Sequence, residues 1–286
     1  MNAPPCITCI AGWAQTEWAL RPLAENLFPG TSAVATEREG ADEQQGAGAK
    51  VPVKLTSVSA LLGASENEGG SGGRGDPSVY AAALASQLAR RKYPSILIGW
   101  SMGGIVALET AIHSPELVRR LVLISSCAKF DPPSPDHHET LLLPAQSSPV
   151  QSSPVRALIH GLHLDRHETL RRFFSLVHSE NSSAPQRTES LHQALQLDPE
   201  HLLHGLKYIQ AVDLSARLSL VHVPTLLVHG RKDQVISWRA SRLLQAGIVG
   251  SELRLFDEAD HGLVATSTEI IAPAIVRFLS ADRLPV

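Results

Sequence analysis

The segment Gly99-Trp100-Ser101-Met102-Gly103-Gly104 constrains this chain more than any other. It follows a short apolar run at 95–98 and opens a helical run at 104–109, so it reads as strand, sharp turn, helix, with a serine at the tip. Such a turn is tight. Glycine is needed on both sides of it, where a side chain would meet the neighbouring strand or helix, and the serine is held in a strained backbone with its hydroxyl exposed. A chance Gly-x-Ser-x-Gly in a structural turn lacks the strand and helix around it. With them, the segment has the form of a nucleophile elbow.

A serine hydroxyl is a poor nucleophile at neutral pH, so it needs a base, and the base needs an orienting acid. Around an elbow of this kind the chain order is Ser, then Asp or Glu, then His. Both partners follow in that order. An apolar run from 223 enters a Gly-containing turn that ends at Asp233, and a strand at 252–256 enters a loop that presents His261 with Gly262 behind it. Asp257 and Asp260 are rivals for the acid, but they share the loop of His261 and reach poorly across it. Thirteen histidines make a random one uninformative; His261 alone combines the strand end with the following glycine. An oxyanion needs two backbone N–H donors. One is expected from Met102, after the nucleophile. The other is expected from Trp13, in the turn 11–14 after an early strand at 7–10, with its indole on the pocket wall.

The length of 286 residues and 43% hydrophobic content suit one globular core with an embellishment. A net charge of −3 gives no reason to expect nucleic acid or an anionic membrane as partner. No apolar run reaches membrane-spanning length and no leader pattern opens the chain, so a cytoplasmic protein is expected. Three cysteines fit a reducing compartment. Cys6 and Cys9 form a C-x-x-C, but residues three apart on a strand face opposite sides. The pairs His160/His163 and His201/His204 fall in helices without companion ligands. Neither metal nor cofactor is expected.

Low-complexity stretches lie at 30–49 and 65–76. Between and after them come an irregular strand at 51–58, an Ala/Leu-rich helix at 80–91 and a strand at 121–125. The β-α-β rhythm breaks after about 127 and resumes at 223. The break opens on a Pro/Ser-rich run, 131–154, followed by amphipathic runs at 155–164, 167–178, 188–196 and 199–211. The expected architecture is therefore α/β, of the α/β-hydrolase type: a mostly parallel central sheet with helices on both faces and an inserted helical lid. Residues 1–126 and 221–286 form its core, and 127–220 the lid.

Residues 99–104, Gly12-Trp13, the run 206–214 and the run 170–177 together resemble the BioH-type carboxylesterases of biotin synthesis. The elbow is shared by a whole superfamily; the two lid runs are the specific part. The resemblance implies hydrolysis of the methyl ester of pimeloyl-acyl carrier protein. It implies that Trp13, Ser101, Met102, Phe173, Phe174, Ser175, Leu176, Val177 and His261 contact the acyl substrate. It also implies that lid arginines face an acidic acyl carrier protein, with Arg166, Arg171, Arg172 and Arg187 as candidates and Lys207 nearby in sequence order. Arg171 and Arg172 are adjacent on one helix, so their directions diverge by about 100°, and Arg166 points nearly opposite Arg172. The chain departs from the pattern where Ala11-Gly12 replaces the usual His-Gly. A monomer is expected. The alternatives are a general short-chain carboxylesterase or thioesterase, an acyltransferase using the same triad, and a catalytically silent binding protein, which the intact Ser101/Asp233/His261 set argues against.

Overall fold

Six short apolar runs pair into one sheet. In chain order they are β1 (Ile7–Ala11), β2 (Val53–Ser57), β3 (Ser95–Trp100), β4 (Val118–Ile124), β5 (Thr225–Gly230) and β6 (Glu252–Phe256). The computed structural model describes residues 6–29, 52–65, 76–130, 153–178 and 184–281. The stretch 30–49 lies outside them, as do 66–75 of the second low-complexity stretch and 131–152 of the Pro/Ser-rich run. The strand order is β2-β1-β3-β4-β5-β6, and every neighbouring pair is parallel. β1, β3 and β5 are buried along their whole length. That is why they read as continuous apolar runs rather than alternating ones. Edge strand β6 is only partly covered.

Parallel neighbours require crossover connections, which helices supply. They are α1 (Arg21–Leu27), α2 (Val58–Ser65), α3 (Val79–Ala89), α4 (Met102–His113), α9 (Arg239–Gly247), α10 (Leu263–Thr266) and α11 (Thr268–Ser280). Val58 leaves the expected strand because Ser57 ends it: the Ser57 Oγ accepts from Ala60 N at 3.2 Å, a cap that starts α2. From β1 the chain moves outward to β2, then returns past β1 to β3 and continues to β6. The direction of winding therefore reverses between β1 and β3. Ligand crevices of open parallel sheets form at such a reversal, beyond the carboxyl ends of the strands.

Between β4 and β5 the chain inserts α5 (Pro154–Leu164), α6 (Arg166–Val177), α7 (Ala184–Leu195) and α8 (Pro199–Ala211). Asp165 and Asp198 start α6 and α8 as caps, each accepting at 2.9 Å from the backbone N–H of Glu168 and Glu200. α6 buries Leu170, Phe173, Phe174, Leu176 and Val177 and leaves Arg171 and Arg172 exposed. The ends of the insertion meet where Lys129 and Asp213 bridge, with Leu214 N donating to Ala128 O at 2.9 Å. α8 is tied to α4 through a buried carboxylate. Glu109 accepts from Ser78 N at 3.0 Å, Ser78 Oγ at 2.6 Å and the Tyr208 hydroxyl at 2.8 Å. Among the described residues no helix is long and apolar enough to cross a membrane.

Candidate active site

Ser101 sits where β3 turns into α4, with φ 55° and ψ −124°. A non-glycine residue in that region stores about 1–3 kcal/mol of strain, so the surroundings must hold it. They do so on every side. Ser101 N donates to Ile124 O at 2.9 Å, and its carbonyl accepts from Gly104 N at 2.9 Å and from Ser126 Oγ at 3.0 Å. The glycines permit the close approach. A Cβ on Gly99 would lie 2.5 Å from the Gly104 Cα, and one on Gly103 would strike the Ile10 carbonyl of β1. Met102 opens α4, and the first N–H groups of a helix have no partner within it.

β5 and β6 deliver the two other groups. His261 Nδ1 meets Asp233 Oδ2 at 2.8 Å, with both side chains shut off from solvent. Asp233 Oδ1 accepts from Val235 N at 2.9 Å and Ile236 N at 2.8 Å. Burial alone would raise the Asp233 pKa, but the charge of His261 and hydrogen bonds from His229 and His261 hold it far below the usual carboxylate range. A permanent carboxylate at Nδ1 leaves Nε2 as the imidazole nitrogen free to take a proton. His261 is seated against the elbow itself: Trp100 Nε1 donates to its carbonyl at 2.9 Å, and the two rings lie 5.7 Å apart. The rival carboxylates work elsewhere. Asp257 pairs with Arg231 at 2.7 Å, and Asp260 accepts from Gly262 N at 2.9 Å.

The turn after β1 lies against the nucleophile. A Cβ on Gly12 would come within 2.9 Å of the Ser101 Cβ, so glycine is required there whichever residue precedes it. Trp13 follows, and Ala14 takes φ 57° to turn the chain. The Trp13 indole is buried, edge-on to Phe173 at 4.8 Å, and its Nε1 donates to Leu202 O of α8 at 2.8 Å. A Cβ on Gly205 would lie 2.8 Å from Trp13 Cδ1 and 3.5 Å from Met102 Sδ. α8 thus rests on both expected oxyanion residues, and α6 reaches the histidine loop, where Gly262 N donates to Val177 O at 2.8 Å. No sequence pattern pointed to Gly205, Ser126, Trp100 or His229 in these roles.

The lid residues divide. Phe173, Phe174, Leu176 and Val177 are buried, but Ser175 is exposed and its hydroxyl folds back onto Arg172 O at 2.6 Å. Ser175 thus stands apart from its four neighbours, because successive helical residues diverge by about 100°. Arg166 is half-buried and donates to Leu195 O at 3.0 Å and Leu197 O at 3.4 Å, capping the end of α7. Arg171 and Arg172 do not diverge as expected, because their long side chains converge on Glu168 at 2.6 and 2.7 Å. Arg187 is half-buried in α7, and its charge acts on His178. His178 is buried at the end of α6 with Nε2 3.2 Å from Ser190 Oγ, and burial pushes its pKa down to about 4. Of the histidine pairs, His204 Nδ1 meets the Tyr80 hydroxyl at 2.9 Å. Among the described residues no three potential ligands gather for a metal. Among the described residues Cys6, Cys9 and Cys127 form no disulfide.

Residues 76–267 match the family model described as serine aminopeptidase, S33. The chain is 30% identical over 190 residues to a pimeloyl-[acyl-carrier protein] methyl ester esterase of Vibrio cholerae, covering 64% of this chain and 69% of that one. It is 27% identical over 184 residues to a putative carbamate hydrolase of Rhizobium rhizogenes, covering 64% and 66%. Among solved structures, a hydrolase from Oleispira antarctica superposes with TM-score 0.73 at 17% identity, covering 98% of this chain and 92% of that one. An esterase from Exiguobacterium antarcticum gives 0.69 at 18% identity, covering 98% and 93%. At those identities the two structures speak for the fold.

Proposed function

Because the chain belongs to the serine aminopeptidase S33 family and is a carboxylic ester hydrolase of the α/β-hydrolase class, we propose that it cleaves the methyl ester of pimeloyl-acyl carrier protein. The observation that carries the chemistry is the buried 2.8 Å contact of His261 with Asp233, seated on Trp100 beside the Ser101 elbow. Ser101 Oγ attacks the ester carbonyl while His261 Nε2 takes its proton. Asp233 holds the tautomer and stabilises the imidazolium. The N–H groups of Trp13 and Met102 receive the oxyanion. Methanol leaves with the proton from His261, which then activates water to release the acid and restore Ser101. Residues 127–220 act as the lid over a core made of 1–126 and 221–286, with Trp13, Phe173, Phe174 and Val177 around the acyl chain. The enzyme works as a cytoplasmic monomer without cofactor.

The substrate follows the relatives whose names carry it. Its carrier would meet Arg171 and Arg172, both exposed on α6. Their convergence on Glu168 neutralises part of that charge, which favours a second reading: a short-chain carboxylesterase or thioesterase with no carrier. Two assays separate the readings. Ser101→Ala should abolish turnover of a short p-nitrophenyl ester with an unchanged circular dichroism spectrum; retained turnover would sink both. Complementation of a biotin auxotroph that lacks its methyl esterase should restore growth. Failure there, with p-nitrophenyl turnover intact, leaves the second reading.

A further inference from the structure

His229 lies within β5, four residues before Asp233, and is completely buried. Its Nε2 stands 2.9 Å from Ile236 O and 3.1 Å from Asp233 Oδ2. A carbonyl oxygen only accepts, so Nε2 carries the proton. In the neutral ring Nδ1 then accepts from Ser241 Oγ, 2.7 Å away on α9. Both ring nitrogens are pinned, and the ring has no freedom to turn.

The Asp233 carboxylate is thereby surrounded. Oδ1 takes the backbone N–H groups of Val235 and Ile236; Oδ2 takes His261 Nδ1 and shares with Ile236 O the single Nε2–H of His229, 3.1 Å away. A carboxylate offers about four lone-pair sites, and each faces a donor. Three of the four donors are fixed by backbone or by a pinned ring. Only His261 belongs to the moving chemistry.

We propose that His229 is a positioning residue for the triad: it fixes the Asp233 carboxylate in the plane that His261 needs and takes a share of its negative charge. This rests on the reading of Ser101, His261 and Asp233 as the triad. Without the His229 donor, Oδ2 is left with an unfilled site in a dry pocket. The carboxylate is then free to rotate, and its whole charge at Oδ2 acts on His261. The first effect lowers kcat. The second favours the imidazolium, so the acid limb of the kcat/KM profile moves to higher pH. The other titratable groups near this pair do not obscure that limb. The Cys127 thiol, beside Asp233, is pushed up to about 12 by burial and by the Asp233 charge. His178, beside His261, is pushed down to about 4 by burial, with Asp260 and Arg187 acting on it in opposite senses.

The test compares His229→Leu with His229→Gln, whose amide nitrogen occupies nearly the place of Nε2. With a small ester, His229→Leu should lose about 10- to 100-fold in kcat at nearly unchanged KM, with its acid limb displaced upward. His229→Gln should recover most of the rate and the original limb. A folded His229→Leu whose limb stays in place or moves down overturns the proposal, as does a Gln variant no better than Leu. Should His229→Leu not fold, the wild-type protein labelled with 15N-histidine decides. The His229 Nε2–H resonance should shift as His261 titrates; a stationary resonance overturns the proposal. Retained activity in Asp233→Asn and Ser101→Ala is a separate outcome, and overturns the triad reading itself.

Discussion

Asp233 and Glu168 are each met by two basic side chains. One sits at the bottom of the strand-end crevice, held by His261 and His229. The other sits on the outer face of α6, held by Arg171 and Arg172. Both carboxyls titrate low: Asp233 far below its usual range, and Glu168 at about 2, through hydrogen bonds from Arg171 and then Arg172. The arithmetic of partners is the same, but the setting is not. Asp233 and His261 are closed to water, so their contact is unscreened and the orientation it imposes is rigid. The Glu168 cluster stands in solvent, where salt and side-chain entropy erase most of its worth. Burial, not the number of partners, marks which ion pair does chemistry.

The largest way to break this comparison is Asp233→Asn. The amide keeps the shape but offers His261 the wrong partner, and kcat/KM for a small ester should fall about 10³- to 10⁴-fold. A loss under tenfold would place the acid elsewhere. Next comes Gly205→Val, which drives a side chain of α8 onto the Trp13 indole and Met102 Sδ. Its Tm should change less than its kcat/KM, which should drop roughly tenfold or more through a displaced oxyanion turn. Equal activity would mean that α8 does not set that turn.

His178 gives a stability effect in between. Its folded-state pKa lies below the unfolded value, so the unfolded chain binds more protons between about 6.5 and 4. Stability is therefore whole above pH 6.5 and declines as pH falls toward 4, by about 2–3 kcal/mol for this one group. Urea melts of His178→Phe should show a flatter slope across that window; an unchanged slope contradicts the assignment. The smallest effect belongs to Glu168→Gln. Its depressed pKa contributes only above the unfolded carboxyl pKa and is lost as pH falls toward 2, and solvent screens it throughout. Melts in high salt should not distinguish the variant from wild type, whereas Asp233→Asn should lose the acid slope that Asp233 creates below pH 4.

The same contrast explains what the sequence makes legible. The elbow, Asp233 and His261 each stand at the end of an apolar strand, within a few residues that carry their own signal. The parallel sheet follows from the same runs, and the four inserted helices from their amphipathic spacing. Their ends slip by a few residues, as at Arg166, which opens α6, because caps rather than apolar spacing set them. The contacts that seat the site are another matter. Trp100 on the His261 carbonyl, Gly205 beneath Trp13 and His229 beside Asp233 join elements far apart in the chain or face inward by register, and no local pattern announces them. The contacts of the arginines escape the sequence for a different reason. Their direction on a helix is readable, but the reach of a long side chain to Glu168, or to the last carbonyls of α7, depends on what lies within that reach.

The central claim is that Ser101 is a nucleophile activated by the buried His261–Asp233 pair. The most direct measurement is the rate of fluorophosphonate labelling, read by mass spectrometry of the peptide that contains Ser101, in wild type and in Asp233→Asn. The account predicts one adduct per chain, on Ser101, formed rapidly in wild type, and orders of magnitude more slowly in Asp233→Asn. An adduct on another residue, or equal rates in the two proteins, would contradict it.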